Sequence, residues 1–403
     1  MMMRVLLFTG KGGVGKTTIA AATAVKAAAA GNRTLIMSTD AAHSLADSFD
    51  RDIGADATEV APRLFAEQID AQARLEANWR EIQEYLVSVM DWAGVDAIQA
   101  EELSVIPGID EIFSLIDVRN RYEADEYDLL VMDCAPTAET LRLLSLPEIM
   151  NWYIERIFPV GRRVVKTVRP LVTKITSLPV ADDGVFNAIQ RLYENLEAVR
   201  RILTEEEGSS VRLVVNPEKM VIAEARRTYT YLSLFGYRVD SVIVNRIIPE
   251  SVADPYFEKW KEIQSIHMET VRESFEPMPI LTSRLFDREM VGVEALIDVG
   301  EEVYRGRDPM SVLHQAEPMG VRKVDGGYSM SMHIPFTGSG DIDVHRKGEE
   351  LYVKVGRYKR TLLLPAMLQR LDVREANVTD GELEIRFAKG APAAAGAEGE
   401  RDG

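Results

Sequence analysis

Short, unbroken apolar runs alternate with longer runs of three-and-four spacing over most of the chain, the pattern of buried parallel strands separated by helices. Val5 to Phe8, Arg33 to Ser38, Tyr127 to Met132, Val211 to Val215 and Val239 to Val244 are the runs of strand type. Between them, Thr18 to Ala30 is an alanine-rich helix stopped by Gly31, and Glu218 to Phe235 and Tyr256 to Phe275 are further helices. Phe186 to Leu203 is amphipathic, with Ile189, Leu192 and Leu196 on one face. Strand, helix, strand at this spacing predicts an α/β fold with a mostly parallel sheet and right-handed crossovers. Leu64 to Val89 reads as a helix with Leu75, Trp79, Ile82, Leu86 and Val89 on one face, and after Pro107 and Gly108 a second helix aligns Ile109, Ile112, Phe113 and Ile116. Neither belongs to a minimal alternating pattern, so an inserted α-helical subdomain is expected over about 64–122 and 148–206.

Past Tyr304 the period changes. From Gly327 to Phe387 apolar and polar residues alternate in short runs, with turns at Gly338-Ser339-Gly340, Lys347-Gly348-Glu349 and Asp380-Gly381. This predicts a small C-terminal β-sandwich. The expected organisation is an α/β domain over 1–305, a linker over 306–325, a sandwich over 326–389 and a disordered, alanine- and glycine-rich tail over 390–403.

Composition narrows the chemistry. A net charge of −17 over 403 residues argues against nucleic acid or an anionic membrane as the main partner. Cys134 is the only cysteine, which excludes a disulfide framework and any thiolate zinc or iron–sulfur site within one subunit. No apolar run approaches the length of a membrane span and no leader precedes the first strand, so a soluble, cytoplasmic protein is expected.

The candidate chemistry centres on Val5 to Thr18, VLLFTGKGGVGKTT. Gly10, Gly15, Lys16 and Thr17 fill the G-x-x-x-x-G-K-[ST] pattern between a strand and a helix. Backbone N–H groups of Gly10, Gly12, Gly13, Val14, Gly15, Lys16, Thr17 and Thr18 would cradle a di- or triphosphate at the positive end of the helix dipole. Lys16 would reach the β/γ-phosphates and the Thr17 hydroxyl would ligate Mg²⁺. Asp133 ends an apolar strand in the Walker B manner, able to hold Mg²⁺ through a water. Asp40, following a buried strand, is placed either to orient and deprotonate the attacking water or to cap the next helix. The loop Cys134 to Leu144 is a candidate γ-phosphate sensor.

The second lysine in K-G-G-V-G-K-T-T, Lys11, resembles the deviant phosphate loop of a class that includes partition ATPases, the nitrogenase iron protein and arsenite-pump ATPases. That resemblance implies a homodimer in which Lys11 crosses to the partner's nucleotide. D-A-A-H-S-L at Asp40, D-C-A-P-T-A-E-T-L-R-L-L at Asp133, N-P-E-K at Asn216 and V-N-R-I-I-P at Val244 resemble the arsenite-pump/tail-anchored-protein-targeting ATPase family over residues 1 to about 305. The family implies ATP and Mg²⁺ as cofactors, Asp40 positioning water, Asn216 near the nucleotide, and Asn245 with the Pro279 segment on adenine. Ala41, Ala138 and Glu139 depart from the family pattern, and glycine to alanine at 138 restricts the switch backbone. The stretch Met150 to Val180 would supply a hydrophobic groove for a client helix, with Ile154, Ile157, Phe158, Val164, Val168 and Leu171 lining it; as bare residues it equally reads as a core helix pair with a solvated basic face. The expected function is an ATP-hydrolysing homodimeric targeting factor for hydrophobic helical clients, with a membrane receptor as a transient partner. The alternative is the motor of an arsenite pump. Tyr358 to Pro365 followed by Asp380 to Ile385 resembles the α-crystallin domain of small heat-shock proteins.

Overall fold

Four strands whose every residue is buried, and a fifth buried along most of its length, form the centre of the N-terminal sheet, because parallel strands covered by helices on both faces have no solvent side. In the computed structural model β1 (Arg4–Thr9), β2 (Thr34–Ser38), β5 (Leu129–Asp133) and β6 (Ser209–Val215) are buried throughout, and β7 (Val239–Ile247) is buried until its last two residues. The structure describes residues 3–39, 44–69, 87, 109–134, 183–204, 208–315, 319–356, 358–365 and 367–389. With β3 (Thr58–Ala61), β4 (Leu64–Gln68) and β8 (Ile280–Arg284), these strands make an eight-stranded sheet of order β3-β4-β2-β5-β1-β6-β7-β8. All neighbours are parallel except the β3–β4 edge pair.

The helices among the described residues are α1 (Lys16–Ala29), α2 (Ser44–Phe49), α3 (Ile109–Ala124), α4 (Asp183–Thr204), α5 (Lys219–Leu234), α6 (Pro255–Phe275) and α7 (Val293–Tyr304). Small residues bury most of α1, from Ile19 to Ala28, and let it lie close to α7 and the sheet. On α4, Val185, Ala188, Leu192, Leu196, Val199 and Ile202 are buried at helical spacing, and this helix packs on α3, where Arg119 donates to Asn195. Arg121 of α3 reaches the sheet and pairs with the fully buried Glu67 of β4 at 2.8 Å.

Two expectations change here. Leu64 to Gln68 is the strand β4 rather than the start of a helix; it pairs with β2 along its whole length, and that pairing overrides the helical period that follows it in the sequence. Met319–Val324, expected in the linker, is the strand β9. The helix expected to run on to Val89, the 135–182 segment with all six groove candidates Ile154, Ile157, Phe158, Val164, Val168 and Leu171, and the tail after residue 389 lie outside the described residues.

The chain divides into two compact units, Met1–Thr228 with Tyr237–Ala316, and Tyr229–Gly236 with Glu317–Gly403. The second holds two antiparallel sheets. One has the order β14-β15-β10-β9, with β10 (Gly327–His333), β14 (Asp372–Thr379) and β15 (Glu382–Ala388). The other has the order β11-β12-β13, with β11 (Ile342–Lys347), β12 (Glu350–Val355) and β13 (Tyr358–Leu363). Met330, Met332, Leu351, Val353, Leu383, Ile385 and Phe387 alternate inward to form its core. Within the same unit the Tyr229 hydroxyl and His333 Nε2 lie 3.0 Å apart, the Thr230 hydroxyl donates to the Pro335 carbonyl at 2.6 Å, and Arg360 donates to the Leu234 carbonyl.

The first unit also buries charge, at the N-terminal ends of its central strands. Asp240 of β7 accepts from Arg4 of β1 and Arg212 of β6, each at 3.1 Å, and from the Ser210 hydroxyl at 2.8 Å. Arg212 also donates to the Tyr304 hydroxyl at 2.8 Å, and that hydroxyl meets Thr23 of α1 at 2.7 Å. Burial pulls the Arg4 guanidinium down to about 10, against the opposing pull of Asp240. Two guanidinium groups depend on one carboxylate here. Asp240→Asn therefore leaves buried positive charge uncompensated and is expected to cost about 3–5 kcal/mol in denaturant unfolding. Asp298→Asn, which breaks an exposed pair with Arg288, is expected to cost about 0–1 kcal/mol in the same measurement.

Candidate functional site

The C-terminal ends of parallel strands carry the loops where an open α/β sheet binds ligands, and the loop after β1 follows this rule. Gly10 to Gly15 connects β1 to α1, and the Ile19 N–H closes the first helical turn on the Gly15 carbonyl at 3.1 Å. Two glycines are required by their surroundings. A Cβ at Gly10 would overlap the Val214 carbonyl of β6, and one at Gly15, where φ is +93°, would overlap the Asn245 side-chain amide. Asn245 braces the loop: its Nδ2 donates to the Val14 carbonyl at 2.9 Å, and its Oδ1 accepts from the Arg246 N–H at 2.9 Å. Gly12 and Gly13 form the exposed tip, beside the half-buried Lys11.

Lys16 is buried under this loop, and its one hydrogen bond among the described residues is a long one of 3.5 Å to the Lys11 carbonyl. An ammonium with three donors and a single marginal acceptor is suited to an anion in the loop. The next residue faces the Walker B position. Thr17 Oγ1 donates to Asp133 Oδ2 at 2.7 Å and stands 3.2 Å from Ser44 Oγ; Ser38 Oγ donates to the same carboxylate oxygen at 3.4 Å. Hydroxyl and carboxylate oxygens of this kind suit a hard cation such as Mg²⁺, which takes few protein ligands and completes its shell with water and phosphate. Among the described residues no group of three or more His, Cys, Asp or Glu forms a metal cluster.

A cavity of about 470 Å³ adjoins the loop, within the range of small-ligand pockets. Gly15, Thr18 and Asn245 form its phosphate-loop side, and Leu285, Phe286 and Met290 supply apolar surface opposite. Arg284, also in its wall, lies over the Phe286 ring at 4.9 Å. Of the residues named from sequence, the structure brings Gly10, Val14, Gly15, Lys16, Thr17, Thr18, Asp133 and Asn245 together. Asn216 is buried at the end of β6, its Oδ1 lacking a hydrogen-bond partner among the described residues. The Pro279 carbonyl accepts from Val242 N–H at the N-terminal end of β8, the opposite end of the strand from the cavity. Leu285 and Phe286, just after β8, line the cavity and could have been found by following the strand to its C-terminal end. Asp40, Ala41, Ala138 and Glu139 lie outside the described residues; Thr39, just before Asp40, donates its N–H to the Asp133 carbonyl at 3.0 Å.

Cys134 follows Asp133 and is buried. Burial, then the neighbouring Asp133 charge, pushes its thiol up to about 12. It is a neutral packing group at physiological pH.

A glycine cradle on a helix N-terminus, a buried lysine under it and a strand-end carboxylate paired with the loop threonine define a P-loop nucleotide hydrolase. Comparison with known proteins is more specific. A family model described as "Anion-transporting ATPase", ArsA, matches residues 3–305, and one described as "HSP20-like domain found in ArsA" matches residues 325–387. The chain belongs to the ArsA family of anion-transporting ATPases and carries the HSP20-like domain associated with it. A relative from Chlorobaculum tepidum, named "Putative arsenical pump-driving ATPase", is 37% identical over 96% of this chain and 96% of its own. One from Aquifex aeolicus, "Putative arsenical pump-driving ATPase 1", is 36% identical over 95% of this chain and 99% of its own. "ATPase GET3C" of Arabidopsis thaliana is 30% identical over 74% of this chain and 82% of its own.

Two outcomes follow from this geometry. Gly15→Ala forces a side chain into a left-handed backbone and onto Asn245, so ATP turnover is expected to fall below a hundredth of wild type with far-UV circular dichroism unchanged. The Cys134 thiol is expected to resist aromatic disulfide reagents at pH 8 and to react at the rate of unfolding. Because its folded pKa lies above its unfolded one, the stability it contributes is complete below pH 9.0 and is lost as pH rises toward about 12, which denaturation midpoints across that range would record.

Proposed function

We propose that this ATPase is a homodimeric targeting factor or chaperone for proteins with hydrophobic helices. Mg-ATP binds across the loop Lys11 to Thr18, and Lys11 reaches the partner's nucleotide. Closure of the dimer assembles an apolar groove from the Met150 to Val180 stretch, and hydrolysis, with Asp40 orienting water, reopens it. The observation that carries this reading is the HSP20-like domain joined to the ATPase, a pairing suited to clients with exposed apolar surface. Relatives named "ATPase GET3C" and "Putative arsenical pump-driving ATPase" are both compatible with the fold.

The second reading, a motor for an arsenite pump, rests on the names of the Chlorobaculum and Aquifex relatives. Arsenite prefers several thiolates, and this chain has one cysteine, buried and protonated. That chemistry favours the client-handling reading.

An Asp40→Asn variant loaded with Mg-ATP is expected to capture a peptide carrying a transmembrane helix and to release it with ADP, while arsenite leaves wild-type turnover unchanged. No capture, together with turnover stimulated by arsenite, would reverse the order of the two readings. Turnover at the wild-type rate in Asp40→Asn would remove Asp40 from the mechanism.

A further inference from the structure

The threonine of the phosphate loop has a second hydroxyl beside it. Ser44, the first residue of α2, places its Oγ 3.2 Å from Thr17 Oγ1, the atom that donates to Asp133 Oδ2 at 2.7 Å. A hydroxyl carries one proton, so with that of Thr17 given to the carboxylate, Ser44 is the donor between the two hydroxyls. A separation of 3.2 Å lies beyond the usual O–H···O range of about 2.5–3.0 Å, which makes this a poor hydrogen bond. Ser44 Oγ makes no other hydrogen bond among the described residues, and the residue is half-buried. Its lone pairs are unspent.

The spacing suits a shared cation better than a hydrogen bond. Mg²⁺ holds oxygen ligands in a near-ideal octahedron at about 2.0–2.1 Å, which sets neighbouring ligands about 2.9 Å apart. Thr17 Oγ1 and Ser44 Oγ have only a few tenths of an ångström to close to become such neighbours. The position is also braced. Ser48 Oγ donates to the Ser44 carbonyl at 2.8 Å, and the Ser48 carbonyl accepts from Gly292 N–H at 2.9 Å, which ties α2 to the start of α7. Ser38, the other hydroxyl of the group, is fully buried and donates to Asp133 Oδ2 at 3.4 Å, so it serves to orient the carboxylate.

We propose that Ser44 Oγ is a direct ligand of the Mg²⁺ that accompanies the nucleotide, next to Thr17 Oγ1. The first residue of α2 then joins that helix to the metal. The inference rests on the reading that Mg-ATP occupies the loop Lys11 to Thr18.

Calorimetric binding of a non-hydrolysable ATP analogue to the full chain tests it, in Mg²⁺, in Cd²⁺ and in EDTA, for wild type, Ser44→Ala and Ser44→Cys. Wild type is expected to bind the analogue more tightly in Mg²⁺ than in EDTA. Ser44→Ala is expected to lose about tenfold of that enhancement, the scale on which single groups support a metal site, with affinity in EDTA unchanged. Ser44→Cys is expected to match Ser44→Ala in Mg²⁺ and to recover in Cd²⁺, because a thiolate is a soft ligand; Ser44→Ala should not recover. Cys134 is buried and does not compete for the added metal. A Ser44→Ala variant that keeps the wild-type Mg²⁺ enhancement overturns the assignment. So does one weakened equally in Mg²⁺ and in EDTA, since that marks a structural role, and so does a Ser44→Cys variant that Cd²⁺ fails to restore. Wild-type protein that does not bind the analogue, or binds it equally in Mg²⁺ and EDTA, would overturn the Mg-nucleotide reading itself, an outcome distinct from the other three.

Discussion

One side-chain amide holds the phosphate loop in its shape. Asn245, at the end of β7, donates to the Val14 carbonyl and accepts from the N–H of the next residue in its own chain, so the loop after β1 is tied to a strand two positions away in the sheet. The tie is possible only because residue 15 has no side chain. Left-handed backbone at Gly15 then turns the chain into α1 and lays Lys16 under the cradle. The loop is preorganised by neighbours that touch no phosphate, which is how a backbone anion site avoids ordering costs at the moment of binding.

α1 is held at a second point. Its Thr23 meets the Tyr304 hydroxyl, which Arg212 also engages, and Arg212 shares Asp240 with Arg4. The phosphate loop lies at the C-terminal ends of the strands and this charge cluster at their N-terminal ends. A buried ion cluster contributes little net stability when complete and costs much when broken. Its strands and α7 are thereby held in one arrangement against the helix that carries Lys16 and Thr17, which is the positional precision that the 2.7 Å approach of Thr17 to Asp133 requires.

Much of this was legible in the sequence, for physical reasons that also explain the gaps. Central strands are apolar on both faces, so β1, β2, β5, β6 and β7 stand out as unbroken runs. β3, β8, β9 and β14 escaped the reading, and all four are edge strands: Asp372–Thr379 and Met319–Val324 are mostly exposed and polar, as unpaired edges must be to avoid further pairing, and so lack alternation. β4 was hidden by the helical period after it. At the site, the phosphate loop and Asp133 are motifs because their chemistry demands fixed residue types at fixed spacing. Leu285 and Phe286 form no motif; the crossover that carries β8 beside β7 brings them to Asn245, and only the topology shows it.

The account stands or falls on where the nucleotide sits, and a crystal structure with Mg²⁺ and a non-hydrolysable ATP analogue measures that directly. It should place the phosphates on the backbone of Gly10 to Thr17 with Lys16 turned from the Lys11 carbonyl to a phosphate oxygen. The direct hydrogen bond between Thr17 and Asp133 should be opened by the metal and its water, and the base should lie between Asn245 and Phe286. A base bound outside that cavity, or phosphates held away from the loop with the Thr17 to Asp133 bond intact, would contradict it.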